Sequence, residues 1–272
     1  MKWNKLIYNK PFMIGGCLIA LLLGLMVISL FYTPYGPNDM NTALRLSQPQ
    51  ASHWFGTDNF GRDILSRIME GTQTSFVIGT ASVAIGLVFG LLIGAAAGYW
   101  GGWLDETLMR FIDAMLAFPG ILLAIMLVSV FGPGFANTIV ALGIMSIPAF
   151  ARIARSGFIQ YKEFAFVKAA VARGAGPLRI IALHILPNIA SPLIVAASLR
   201  FSGSILAEAG LSYLGLGVQP PDPSWGRMLS EAQPFIINAP WYVFITGVVI
   251  TAMVLGFNLV GDGIRDVYDK KR

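Results

Sequence analysis

The most polar stretch inside any apolar run of this sequence is SLRFSGSILAEAG, residues 198–210. A charged side chain inside a membrane span is costly and is therefore a functional hypothesis by default. Two interpretations stay open. In one, the stretch lines a hydrophilic translocation path; in the other, Arg200 snorkels to the outer interface and pairs with Glu208. The candidate path residues are Arg200, Ser202, Ser204 and Glu208.

Patterns for catalysis or nucleotide binding are absent from the sequence. It contains no G-x-x-x-x-G-K-[ST] loop, and the GLG at residues 215–217 lacks the third glycine of a dinucleotide fingerprint. His53 and His184 stand alone, with no H-E-x-x-H pair for zinc, so we expect a structural hydrogen bond for each. Cys17 is the only cysteine and lies inside an apolar run. We therefore expect neither an enzyme nor a cofactor or metal site in this chain.

The longest polar insertion after the N-terminal third is YKEFAFVKAAVARGAGPLRIIALHILPN, residues 161–188. Residues 162–173 have the pattern of a short amphipathic helix, which Gly174 then ends. Small residues recur at steps of three and four and share one face: Ala165, Ala169, Ala172 and Gly176. Twelve residues span about 18 Å, enough to lie in a groove and too short to cross lipid. We predict a cytoplasmic coupling helix, through which an ATP-hydrolysing partner moves membrane helices.

The composition indicates that these segments belong to a membrane bundle. The chain has 272 residues, 56% of them hydrophobic and only 12% charged, whereas soluble domains are about one quarter charged. The net charge of +5 does not indicate nucleic acid binding, because the basic residues lie between apolar runs rather than on one soluble face.

Five apolar runs, one of them long enough for two helices, predict six transmembrane helices in an all-α polytopic membrane protein. They cover residues 12–31, 74–104, two helices within 114–151 divided by a turn at 132–134, 180–199 and 241–260. A polar link is predicted between the second and third spans: Asp105, Glu106, Arg110 and Asp113. Glycines four residues apart predict a close-packing groove along the second span: Gly86, Gly90, Gly94 and Gly98. A cleaved signal peptide is the weaker interpretation of the first run, because its apolar core is too long.

The basic residues predict the orientation of these spans. With six spans, both termini lie on the same side of the membrane. A cytoplasmic N-terminus then places the cluster of basic residues within 152–179 in the cytoplasm as well. Of the nineteen basic residues, fourteen lie inside, and Arg200, next to residue 199, is counted with the fifth span. The four outside are Arg45, Arg62, Arg67 and Arg227. The predicted segments are a cytoplasmic tail and first span at 1–33, an extracytoplasmic segment at 34–73, a transport core at 74–261 and a cytoplasmic tail at 262–272.

Four separated stretches resemble permease subunits of binding-protein-dependent ABC importers. Residues 168–187, KAAVARGAGPLRIIALHILP, resemble the EAA signature, with Lys168 in place of its glutamate and His184 in place of its isoleucine. Residues 53–67, 211–226 and 257–266 resemble motifs of the smaller, C-type permease of dipeptide, oligopeptide, glutathione and nickel importers. The resemblance runs from about residue 12 to the end of the chain and favours small peptides as cargo.

This resemblance implies a type I ABC importer permease fold in a bacterial plasma membrane. It further implies a paralogous permease, two ATP-binding subunits that hold ATP and magnesium, and an extracytoplasmic substrate-binding protein. The residues expected to couple to the ATPases are Glu163, Phe164, Val167, Lys168, Ala169, Ala170, Ala172, Arg173, Gly174 and Ala175. Glutathione or nickel chelates are alternative cargoes. An ion-coupled carrier working alone and a scaffold membrane protein without transport are the rival functions.

Overall fold

The computed structural model describes Leu6 and residues 8–269, with side chains up to Val267. The basic residues Lys2, Lys5, Lys270, Lys271 and Arg272, used above to predict orientation, lie outside this part of the chain. Helices make up most of the described chain. The only β-type pairing within it is an isolated bridge between Thr57 and Asp63. The predicted all-α fold is confirmed.

Nine helices of eight or more residues follow one another in the described chain. They are α1 Lys10–Ser29, α2 Ile64–Trp100, α3 Gly102–Leu116, α4 Gly120–Phe131, α5 Phe135–Lys162, α6 Ala165–Ala172, α7 Leu186–Tyr213, α8 Trp225–Ala232 and α9 Pro240–Asp269. One helical turn, Pro177–Arg179, and a π-helical stretch, Ile180–Ile185, precede α7 and form a continuous span with it. Pro187 lacks the N–H that would bond to the carbonyl four residues earlier, which explains the wider π-helical winding before it.

The predicted six spans correspond to five long apolar helices and one broken pair. The pair is α3 with α4, which meet at a bend of 88°. The residues predicted as a polar link instead lie on α3, an error that came from treating charge as a mark of a loop. Asp105 bonds to Arg155 at 2.5 and 2.7 Å, and Asp113 bonds to Arg152 at 2.6 Å, so the charged side of α3 packs along α5.

The predicted glycine groove of α2 is filled by α5. A Cβ atom placed at Gly86 or Gly90 would lie 2.6 Å from the Cβ of Ser146 or Phe150, closer than real Cβ atoms approach. The contact continues along Gly94 to Gly98, where a Cβ would lie 2.7 Å from the Cβ of Phe158. Because residue numbers rise together on both helices, α2 and α5 run parallel and end at the same side of the bundle.

The remaining contacts fix which helix ends lie together. Ile189, near the start of α7, packs against Gly157 near the end of α5. Helix α9 runs antiparallel to both α1 and α7. Its close pairs are Gly256 with Gly15 and Gly263 with Phe12 on α1, and Phe257 with Ser198 and Val254 with Ser202 on α7. The start of α1, the ends of α2, α5 and α9, and the segment that contains α6 therefore share one end of the bundle.

A bulky side chain at Gly90 is expected to separate α2 from α5. Gly90→Leu should lower the yield of folded protein and the midpoint of thermal unfolding in detergent by several degrees, because overpacking costs about 1–3 kcal/mol. Gly24→Leu is the matched control, since a Cβ at Gly24 meets nothing within 4 Å. Equal midpoints for the two variants would contradict the close contact.

Candidate functional site

Helix α6 is the short helix that the polar insertion predicted, but it is shorter than expected. It covers eight residues, about 12 Å, instead of the predicted 162–173. Lys162 is the last residue of α5, and Phe164 is the extended residue before α6, with φ −73° and ψ 145°. The turn at Glu163 and Phe164 separates the two helices, a break that the uninterrupted helix-forming sequence did not reveal.

The two faces of α6 differ in what they contact. Val167 and Ala170 are 2% and 6% exposed and pack toward the bundle. The small residues predicted to share a face are all exposed: Ala165, Ala169, Ala172 and Gly176. Val167 and Ala170 were predicted to couple directly to an ATPase. Their burial excludes them from an exposed docking surface and makes them the attachment of α6 to its own chain.

Gly174 ends α6 in a Schellman motif. The N–H of Gly174 donates to the carbonyl of Val171 at 2.9 Å, and the N–H of Ala175 donates to the carbonyl of Ala170 at 3.1 Å. Gly174 has φ +79°, a backbone conformation that L side chains adopt only with strain. The turn after α6 therefore depends on glycine for a backbone reason.

Charged side chains surround α6. Lys168 pairs with Glu163 at 2.9 Å, both exposed, and its ammonium holds the pKa of the Glu163 carboxyl below the ordinary value. A cavity of about 420 Å³ lies beside α6, and Arg173, Arg179 and His184 are among its lining residues. The region beside α6 is thus predominantly basic.

Polar contacts tie the end of α5, next to α6, to its neighbours. Lys162 donates to the carbonyl of Gly98, near the end of α2, at 3.0 Å. Two turns earlier on α5, the Arg155–Asp105 ion pair holds the start of α3. A displacement of α6 would therefore act on α2, α3 and α5 together.

The four predicted path residues do not share a surface. Ser202 donates to the carbonyl of Val254 on α9, and Ser204 is buried. Glu208 is fully buried and accepts hydrogen bonds from Ser212 at 2.7 Å and Ser75 at 3.3 Å. The helix period puts these three side chains inside the bundle, so the prediction that they line a path is wrong for them.

Arg200 alone of the four is exposed. Within the described residues it has no hydrogen-bond or ion-pair partner, and the alternative pairing with Glu208 is also wrong, because Glu208 is enclosed between α2 and α7.

Of the two histidines, His53 makes the expected structural hydrogen bond, from Nδ1 to Asp63 at 2.9 Å. His184 lines the cavity beside α6.

A buried ion network at the opposite end of the bundle was not predicted. Arg62 pairs with Asp58 at 2.6 Å and with Glu231 at 2.7 Å, and Arg67 lies 3.6 Å from each carboxylate. The Tyr35 ring stacks on His53 at 4.4 Å. The sequence signal for this network was the alternation of charges within residues 53–67. That pattern could not indicate Glu231, which lies 169 residues from its partner Arg62. No cluster of three or more metal-ligating side chains occurs in the described ranges.

Comparison with known proteins assigns this architecture to a family. The family model for the binding-protein-dependent transport system inner membrane component matches residues 86–272. This chain is a member of that permease family. The permease is 44% identical over 269 residues to the dipeptide transport system permease protein DppC of Alkalihalophilus pseudofirmus, covering 99% of this chain and 88% of the relative.

Further relatives of the permease carry similar names. It is 41% identical to the glutathione transport system permease protein GsiD of Pectobacterium atrosepticum, covering 99% and 90% of the two chains. It is also 41% identical to the di/tripeptide transport system permease protein DppC of Pseudomonas aeruginosa, covering 99% and 91%. An inward-facing structure of the MetNI methionine ABC transporter superposes with a TM-score of 0.60 at 20% identity, covering 74% of the permease and 95% of that chain. The predicted type I importer permease fold is confirmed.

Removing one carboxylate from the buried ion network should destabilise the permease. Glu231→Gln leaves Arg62 and Arg67 without a full counter-charge, which we expect to cost about 3 kcal/mol and to lower the thermal unfolding midpoint. Arg110→Gln, which removes an exposed ion pair with Glu106, should cost less than about 1 kcal/mol. Similar midpoints for the two variants would show that the network does not hold this end together.

Proposed function

We propose that this permease is a transmembrane subunit of an ATP-driven importer of di- and oligopeptides and that α6 is its coupling helix. The observation that carries the proposal is the exposed small-residue face of α6. Ala165, Ala169 and Ala172 let another protein approach the helix backbone closely, while Val167 and Ala170 fix α6 to its own bundle. Family membership supports the same role.

The assembly that we propose contains a paralogous permease, two ATP-binding subunits and an extracytoplasmic substrate-binding protein. ATP and magnesium are held by the ATP-binding subunits, and this chain contributes no catalytic residue. The exposed coupling residues are Glu163, Phe164, Lys168, Ala169, Ala172, Arg173 and Gly174, with Ala175 partly exposed beside them.

We place α6 and both chain termini in the cytoplasm of a bacterial plasma membrane. Basic residues near α6 support this orientation, because cytoplasmic loops are enriched in lysine and arginine. These residues are Arg152, Arg155, Lys162, Lys168, Arg173 and Arg179. At the opposite end of the bundle, Arg62 and Arg67 are neutralised by Asp58 and Glu231.

In the mechanism that we propose, closure of the ATPases pushes α6, and the bundle rotates as a rigid body between inward- and outward-facing states. The Lys162 contact with Gly98 and the glycine-lined contact of α2 with α5 support such motion, because they join the helices next to α6. ATP can drive the change only through its different affinity for the two states.

Peptides are the cargo that the relatives favour, since two of them are named for dipeptide or di/tripeptide transport. Glutathione, itself a small peptide, is the second candidate, because relatives at 41% identity are named for it. Nickel chelates remain a less favoured alternative from the sequence resemblance.

A bulky side chain on the exposed face of α6 should disrupt coupling. In Ala172→Trp we expect loss of ATPase subunits during co-purification and loss of ATP-dependent peptide uptake in vesicles, since the indole would fill the space that a partner needs. Leu21→Trp is the control, because Leu21 is 64% exposed on the peripheral helix α1. Undiminished ATPase binding by Ala172→Trp would count against docking through this face.

Reconstitution of the permease alone tests the rival functions. An importer subunit should show no uptake without its ATPases, whereas uptake driven by an ion gradient would establish a carrier working alone. A scaffold protein would bind partners but support no uptake even in the complete assembly.

The charge at Lys168 should matter less than the shape of α6. Lys168→Glu replaces an exposed ion pair with two neighbouring carboxylates and restores the glutamate of the EAA signature. We expect uptake to be retained, measured beside wild-type protein at equal expression. Complete loss of uptake would instead assign Lys168 a specific role at the ATPase contact.

A further inference from the structure

Arg200 lies at a depth where the neighbouring helices are apolar. The Ser198 hydroxyl donates to the Phe257 carbonyl at 2.7 Å, and the Ser202 hydroxyl donates to the Val254 carbonyl at 3.2 Å. These bonds place Arg200 beside residues 254–257, inside the uncharged run 241–260 of α9. Residues 254–257 are near the middle of α9, so Arg200 lies away from the outer interface to which the snorkelling interpretation assigned it.

The direction of Arg200 is set by the buried residues around it. Ser198, Phe201 and Ser202 turn inward, so Arg200 points away from the packed side of α7. Gly203 and Gly210 lie along the same outward face at helical spacing, and a Cβ at either would meet nothing within 4 Å. The exposed side chains of Leu199 and Leu206 share this face with the two glycines, so the guanidinium lies on an otherwise apolar surface of α7 that no part of the described chain covers.

An exposed guanidinium at this depth is unfavourable in hydrocarbon and has no carboxylate partner in the described part of the chain. Glu208, the nearest acidic residue along α7, is occupied by Ser75 and Ser212. Such a side chain instead suits a water-filled interface, where it can meet an anion. Arginine presents paired N–H donors that match a carboxylate, so a carboxylate ligand satisfies it better than a neutral one.

We propose that Arg200 binds a carboxylate group of the peptide as it passes through the membrane. The inference rests on the proposed importer function and deepens it by naming a cargo-binding residue of this chain. Every unmodified peptide has a terminal carboxylate, and glutathione has two. One site could therefore accept cargoes that differ in side chains, which fits a permease with relatives named for both classes.

Uptake by the complete assembly tests the role of the charge. Arg200→Gln should lower the rate of dipeptide uptake by about tenfold or more, because hydrogen bonds to charged groups contribute that much to binding. Arg200→Lys should recover part of this loss. Both variants should still co-purify with the ATPase subunits, since Arg200 is not at the ATPase contact.

The single native cysteine allows a second test without changing the cargo. Cys17 is exposed on the peripheral helix α1, near the depth of Arg200, because Gly256 of α9 packs between Gly15 and Ile19. In a Cys17→Ser background, Arg200→Cys should react with water-soluble methanethiosulfonates, as read from the mass of this subunit. We expect native Cys17, on the peripheral helix α1, to react much more slowly in the otherwise unchanged protein, because the proposal puts water at Arg200 and not at α1.

The charge of the attached group then shows whether uptake requires a positive charge at position 200 or only a side chain of sufficient size. An aminoethyl group at position 200 should restore uptake, and a sulfonatoethyl group should not. Unchanged uptake by Arg200→Gln, or equal uptake with either attached group, would overturn the proposal. Loss of the second permease on purification of Arg200→Gln would also overturn it and assign Arg200 to a contact between subunits. Failure of the wild-type assembly to import any peptide would instead refute the importer function.

Discussion

The close approach of α2 to α5 is the contact on which the rest of the bundle depends. Four glycines along α2 allow α5 to pack against its backbone, and no larger residue would fit without moving the helices apart. In lipid, where there is no hydrophobic driving force between helices, such close packing supplies much of the attraction. The contact also runs the two helices in parallel, so both end beside α6. In the proposed mechanism, a force on α6 would therefore act on both helices.

Charged side chains are exposed at one end of the bundle and mostly buried in ion pairs at the other. Beside α6 the basic residues remain at the surface, where Lys168 and Glu163 form an exposed pair. At the opposite end, the buried Asp58, Arg62 and Arg67 pair with the partly buried Glu231, which joins residues 58–67 to α8. An ion network of this kind is sensitive to the loss of any one member, because the remaining charges stay buried. It gives that end a defined geometry, whereas the ion pair beside α6 stays exposed at the surface.

Several features could be predicted because they depend on local pattern. The glycine repeat of α2 predicted a close-packed face, and the alanine spacing of α6 predicted a small-residue face; both were found. The buried site at Glu231 could not be predicted in this way, since its partner Arg62 is distant in sequence. The polar residues of α3 were mistaken for a link because charge alone does not separate a loop from a helix with ion-pair partners on α5.

The sequence by itself determined the membrane class, the apolar runs and the position of the short helix after α5, because these follow from hydrophobicity and residue spacing along a single chain. The tertiary structure alone decided which polar residues of α7 face inward. Ser202, Ser204 and Glu208 are buried between neighbouring helices, whereas Arg200 is exposed. The physical reason is that a helix period gives relative directions, but only the helices packed around α7 decide which direction is the interior.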